Sequence, residues 1–362
     1  MNSPRDYCMS ALSFRAISRL SRGSETHPSL GLSRLALGVV ILAFGATAAA
    51  GLSVPMDAQM VIYLVGMIAL NLPHGGYEHV ANLRRRRPDF RWRYVGVYLA
   101  VVGGFLGLLL VAPVAGLALA VTVAMAKGGL GGVKVLDATS GTDHLETQAQ
   151  RLLAAGVRGG SVMLVPIVFW PETFHSFSAL MVGLVEPGGL APYAAYFDVT
   201  RPVIAGGYGL ALLAHIGLGY VRGGGRSWLV DAGESLLLAA YFAVVPVVVA
   251  VGLYFPLWYS ARQVARAQSV DTAGVGDDRW DLLGGDDPTT TAIRAWGLLI
   301  AGALATVAVL AVVYWVVPNP FADSTLLTGA VAFWSIFISI IALPHIVVGS
   351  LWDRDRGIWY VP

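Results

Sequence analysis

Long stretches of this sequence pass without Asp, Glu, Lys or Arg, and that spacing of charge restricts the fold more than any motif in it. About 20 apolar residues in helical form cross the roughly 30 Å hydrocarbon core of a bilayer, and a charge left inside is costly. The apolar stretches therefore mark spans: 35–55, 58–77, 94–126, 159–186, 203–221, 235–261, 295–322 and 324–352. The stretch 94–126 is too long for one crossing. Ala112-Pro113 divides it, because proline lacks the amide donor and disrupts the helix before it. Trp170-Pro171-Glu172 interrupts 159–186, giving one kinked span or two short ones. The expectation is an all-α, polytopic transmembrane bundle of nine spans, or ten with a divided pair at Pro171. Only 13% of the 362 residues are charged, about half the share usual in soluble domains, in agreement with that class.

A single helical domain is expected over 34–352, between an N-terminal tail of 1–33 and a C-terminal tail of 353–362. The N-terminal tail bears Arg5, Arg15, Arg19 and Arg22 and runs into a full apolar stretch without a small-residue cleavage site. The first span is therefore expected to be retained, not removed as a signal peptide. Residues 82–93 hold Arg84, Arg85, Arg86, Arg87, Arg91 and Arg93, the densest basic cluster in the chain. The excess of arginine places this loop and the N-terminus on the cytoplasmic side of the cell membrane, consistent with two spans between them. Anionic lipid is a modest further candidate for the Arg84–Arg87 run. Residues 262–294 are rich in Gly and Asp and read as a mobile, solvated, acidic loop. The lone Cys8 excludes an internal disulfide and a cysteine-based metal site. A net charge of +2 carries no nucleic-acid signal, and no such partner is expected. No internal repeat is present.

Histidines inside apolar stretches are functional candidates by default. His74 lies in Asn71-Leu72-Pro73-His74-Gly75-Gly76-Tyr77-Glu78-His79, where proline frees backbone carbonyls and glycine permits close approach. His74 with Glu78 one helical turn on could be a metal ligand and the carboxylate that orients it. The alternative is a helix end whose polar groups reach the membrane interface. His215 stands alone in its span and suits an interhelical hydrogen bond better than a ligand role. His345 follows Leu343-Pro344, a second Leu-Pro-His, and could approach His74 if the helix ends meet. His144 and His175 lie near loops or breaks and carry weak signals, and His27, in the tail, carries none. The run Gly128-Gly129-Leu130-Gly131-Gly132 follows an apolar helix and not a strand, so it fails the context for nucleotide binding. No serine–histidine–acid arrangement stands out.

Leu72-Pro73-His74-Gly75, the segment from Leu253-Tyr254-Phe255-Pro256 through Leu257-Trp258-Tyr259-Ser260-Ala261-Arg262-Gln263, and Leu343-Pro344-His345 occur in a consistent order along the chain. Together they resemble the Brp/Blh family of membrane β-carotene 15,15'-dioxygenases over roughly residues 35–352. The resemblance implies non-haem Fe(II) held by four histidines, with O2 cleaving the central double bond of β-carotene to two retinal molecules that supply a rhodopsin. Neutral imidazoles suit iron, and an open coordination position is needed for O2. The family's first ligand falls on His74 and its acidic partner on Glu78. The later family motif, Leu-Trp-His-Ser-x-Arg-His, places its ligands where this chain has Tyr259 and Gln263. The remaining ligand is expected around 127–144, where His144 is the only histidine. His74, His144 and His345 are thus the candidate metal residues, and Tyr259 and Gln263 are altered site-wall positions. A non-catalytic relative that binds carotenoid or retinal, or assists opsin assembly, is the alternative.

Overall fold

A computed structural model describes residues 28–70, 88–271, 304 and 306–348. No strand occurs among them; the elements are helices joined by short connections. In chain order they are α1 (Pro28–Ala49), α2 (Met56–Leu64, continued by a π-helical turn Val65–Leu70), α3 (Pro88–Val111) and α4 (Pro113–Ala138). Then come α5 (Gln148–Phe169), α6 (Pro171–Gly183), a 3-10 turn Ala191–Tyr196 and α7 (Phe197–Arg222). The last are α8 (Gly225–Val244), α9 (Val247–Tyr254, continued by a π-helical turn Phe255–Ser260), α10 (Ala261–Asp271), α11 (Thr306–Val316) and α12 (Leu326–Val347).

Proline sets most of the boundaries. Pro113 and Pro171 occupy the first turns of α4 and α6, where the missing amide costs no hydrogen bond. The apolar stretch 159–186 is therefore divided, with Trp170 at φ −127° and ψ 47° between α5 and α6. At 13 residues, α6 is short for a full crossing. The stretch 235–261, expected to be one span, is also two helices. Val245 is extended (φ −85°, ψ 129°) because Pro246 disfavours helical geometry in the residue before it. The first ten residues of the expected acidic loop, 262–271, are helical in α10; its cluster of aspartates lies outside the described residues.

Seven helices among the described residues are long and apolar enough to cross a membrane, with two shorter apolar helices at Met56–Ile68 and Thr306–Val316. The outermost are α1 and α7, whose apolar windows are only 11% buried. Large apolar side chains such as Leu42, Leu210 and Val221 stand exposed on them, as lipid-facing surfaces require.

Inside this shell the helices approach closely through small residues. A Cβ on Gly129 would lie 2.0 Å from the Ala155 carbonyl oxygen, and one on Gly159 would lie 2.0 Å from that of Met125. The glycine run of α4 thus serves its crossing with α5. Gly66 and Gly252 do the same for α2 and α9, where a Cβ on Gly66 would lie 2.2 Å from the Gly252 carbonyl oxygen. Both π-helical turns pack on each other as a result. The π-helical turn that bears Tyr259 is therefore a neighbour of Val65–Leu70.

Candidate functional site

The helices α2, α4, α5, α6, α9 and α12 surround a partly open cavity. Its wall is aliphatic and aromatic, including Met67, Phe174, Phe177, Val248, Phe255 and Ile338. The polar side chains on it are few. Tyr63 and Ser335 are hydrogen-bonded to each other at 2.6 Å, and Ser339 donates to the Ser335 carbonyl at 2.9 Å. Among the described residues Lys127 is the only charged one in the lining, and its ammonium lies 5.3 Å from the Tyr259 ring centroid. A chamber of this kind takes an apolar guest and withholds water from it.

Tyr259 and Gln263 meet at the Lys127 end of the cavity, one on the π-helical turn and the other on α10. Both are buried, and both face Gly131 of α4: a Cβ there would lie 3.1 Å from Tyr259 Cε2 and from Gln263 Nε2. Gln263 donates to the Gly131 carbonyl at 3.4 Å, and its side-chain oxygen accepts from Arg266 Nε at 2.7 Å. The amide is thereby committed at both ends. His345 is buried on α12, one turn beyond the cavity-lining Ala342. Its Nδ1 donates to the Ile341 carbonyl at 3.0 Å. His74 and Glu78 lie outside the described residues.

His144 sits elsewhere. It is fully buried beneath α7 and α8, with Nε2 2.9 Å from Asp231 Oδ2 and Nδ1 3.2 Å from Ser227 Oγ. Both ring nitrogens are occupied. The His215 ring reaches the same Asp231 oxygen at 3.3 Å, the interhelical contact expected of it. His175 packs edge-on to Phe197 with centroids 4.6 Å apart. Among the described residues no three His, Cys, Asp or Glu side chains gather as a metal site.

Sequence reasoning missed the polar cluster that His144 and His215 join. Asp231 and Glu234, one turn apart on α8, accept from three arginines. Arg158 of α5 donates to Asp231 Oδ1 through Nε (2.8 Å) and Nη2 (2.6 Å), and to Glu234 Oε2 (2.9 Å). Arg262 of α10 forks onto both Glu234 oxygens at 2.7 Å each, and its guanidinium stacks 4.4 Å over Trp258. Arg34 of α1 completes the set at 2.6 Å from Glu234 Oε1. Apart from Arg34 all are buried, and charges withdrawn from water persist only when paired with opposite charge, as here; Arg158 Nη1 alone is buried without a hydrogen-bond partner. The cluster anchors the segment carrying Trp258, Tyr259 and Gln263 against α5 and α8. The available signal was Asp231 and Glu234 at i and i+3, facing an arginine in the otherwise apolar 152–170.

These features define a polytopic helical membrane protein built around an apolar internal chamber, with a rigid ionic brace at one end. The profile of the β-carotene 15,15'-dioxygenase family matches residues 65–353. A protein of Halobacterium salinarum named "Probable beta-carotene 15,15'-dioxygenase Brp" is 53% identical over 338 residues, covering 92% of this chain and 94% of that one. Another from the same species, "Probable beta-carotene 15,15'-dioxygenase Blh", is 31% identical over 346 residues, covering 93% and 96%. No solved structure matches. The chain belongs to the β-carotene 15,15'-dioxygenase family.

Proposed function

We propose that this protein makes retinal by cleaving the central double bond of β-carotene with O2, and that the retinal supplies a rhodopsin. One carbon–carbon double bond and one O2 become two aldehyde C=O groups, each oxygen atom ending in one product molecule. The observation that carries the reading is the chamber: it is apolar along its length and ends at Lys127 and Tyr259, beside the positions where the family motif falls. A polyene entering from lipid would exchange one apolar environment for another, so its binding rests on shape and packing more than on the hydrophobic effect. The protein's part in the reaction is to hold the polyene straight, bring its midpoint to the Tyr259 end and keep water away from the reactive bond.

A family of dioxygenases implies a metal, and the resemblance implies Fe(II). The described residues do not complete an all-imidazole iron centre. Tyr259 and Gln263 supply no imidazole, the Gln263 oxygen is held by Arg266, and both nitrogens of His144 are engaged. Iron is therefore proposed only with His74 as ligand and Glu78 as its orienting carboxylate, His345 being the further imidazole near the chamber. The Gln263–Arg266 bond also favours a second reading, in which the chain binds carotenoid or retinal, or assists opsin assembly, without chemistry. The protein is further proposed to lie in the cell membrane with its N-terminus cytoplasmic.

Expression in a β-carotene-accumulating bacterium separates the two readings. Cleavage gives retinal in the pigment extract and loss of orange colour, and His74→Ala abolishes both. Retinal that persists in His74→Ala removes the iron role given to that residue. Intact carotenoid co-purifying without retinal overturns cleavage and supports the binding reading.

A further inference from the structure

The chamber has a second end, away from Lys127. Its lining on α4 runs from Leu117 to Lys127, about 15 Å of helix axis. At the Leu117 end, α6 packs alongside, with Val182, Ala179 and Met181 against Leu117 and Val121. Ser178, on the same stretch of α6, lines the chamber and is only 4% exposed.

Its hydroxyl has no hydrogen-bond partner. That is unusual for a helical serine, which ordinarily returns its hydroxyl to the carbonyl four residues back. Ser161, Ser176, Ser335 and Ser339 all do so here, at 2.7 to 3.0 Å. Ser235 is also buried without a partner, but it is not part of the chamber lining. A buried hydroxyl left unpaired is destabilising, and one that faces a cavity is positioned to be satisfied by whatever fills it. If the midpoint of a long polyene lies at the Tyr259 end, its terminal ring lies toward Ser178.

We infer that the Leu117–Ser178 end of the chamber is a subsite for an oxygen-bearing carotenoid ring, and that the Ser178 hydroxyl donates to a ring ketone or pairs with a ring hydroxyl. The inference rests on the carotenoid reading and extends it: the natural ligand class includes ring-hydroxylated or ring-ketolated C40 carotenoids as well as the hydrocarbon. The neighbouring wall is apolar, so one hydroxyl suffices to distinguish a ring with an oxygen from one without.

The test is a titration of the purified full-length protein and of Ser178→Ala with β-carotene and with its ring-hydroxylated and ring-ketolated analogues, followed by quenching of tryptophan fluorescence. Comparing each ligand between the two proteins cancels differences in micelle partitioning. The oxygenated analogues are expected to bind the native chain about three- to tenfold more tightly than Ser178→Ala, the worth of one buried neutral hydrogen bond. β-Carotene should bind both alike, which also shows that the variant is folded. An equal effect of Ser178→Ala on all three ligands, or none on any, overturns the subsite; bound water then satisfies the hydroxyl. Failure of every carotenoid to bind either protein overturns the carotenoid reading and the subsite with it.

Discussion

Glu234 shows how much a single side chain can hold in an apolar interior. Its two oxygens accept from Arg34, Arg158 and Arg262, which reach it from three helices. Glu234→Ala leaves two buried guanidinium groups short of a counter-charge. It should destabilise the protein by about 3–5 kcal/mol, read as a lower apparent melting temperature in detergent, with Glu234→Gln intermediate. An unchanged melting temperature would mean that water reaches the cluster. The histidines show which residue roles were legible. His215 was expected to bond across helices, and it does. Asp231, Glu234 and Arg158 went unnoticed because counting charge-free stretches treats every charge as the edge of a span. That criterion cannot distinguish a solvated charge from one neutralised by a residue 73 or 76 positions away.

At the level of helices, sequence and structure agree on the proline breaks at Pro113 and Pro171 and part at Pro246. Excess length exposes the break at Pro113 and the polar Glu172 the one at Pro171, whereas Pro246, amid Val244-Val245-Pro246-Val247, lies in a stretch short enough for one crossing. The Gly128–Gly132 run lies on α4, with Gly129 against the Ala155 backbone. Its use in the α4–α5 crossing needs the partner helix to be visible, since no local pattern names Ala155 as its neighbour. Gly129→Leu forces a side chain against the Ala155 backbone and should cost at least about 1–3 kcal/mol. Gly103→Leu, on α3 with open space around its Cβ position, should change the melting temperature little by comparison. Equal losses at both positions would deny the close crossing its importance.

For the whole molecule, charge placement made the membrane class legible, while the layering of helices was not, because every apolar helix looks alike to a hydropathy scale. The position of the chamber depends on which helices turn small or bulky faces inward, and that is decided by packing. Orientation is directly testable, because Cys8 is the only cysteine in the chain. A membrane-impermeant thiol reagent should label it in inverted vesicles and not in intact cells; the reverse pattern would place the N-terminus outside. The brace also has a history in time. Arg34 and Glu234 are separated by 200 residues, so a ribosome adding about 5–20 residues per second needs roughly 10–40 s to deliver the carboxylate after the guanidinium. Through that interval Arg34 must rest among lipid headgroups or water. The first of the described helices is thus fastened late, and α1 is latched to the bundle through Arg34 only when α8 arrives.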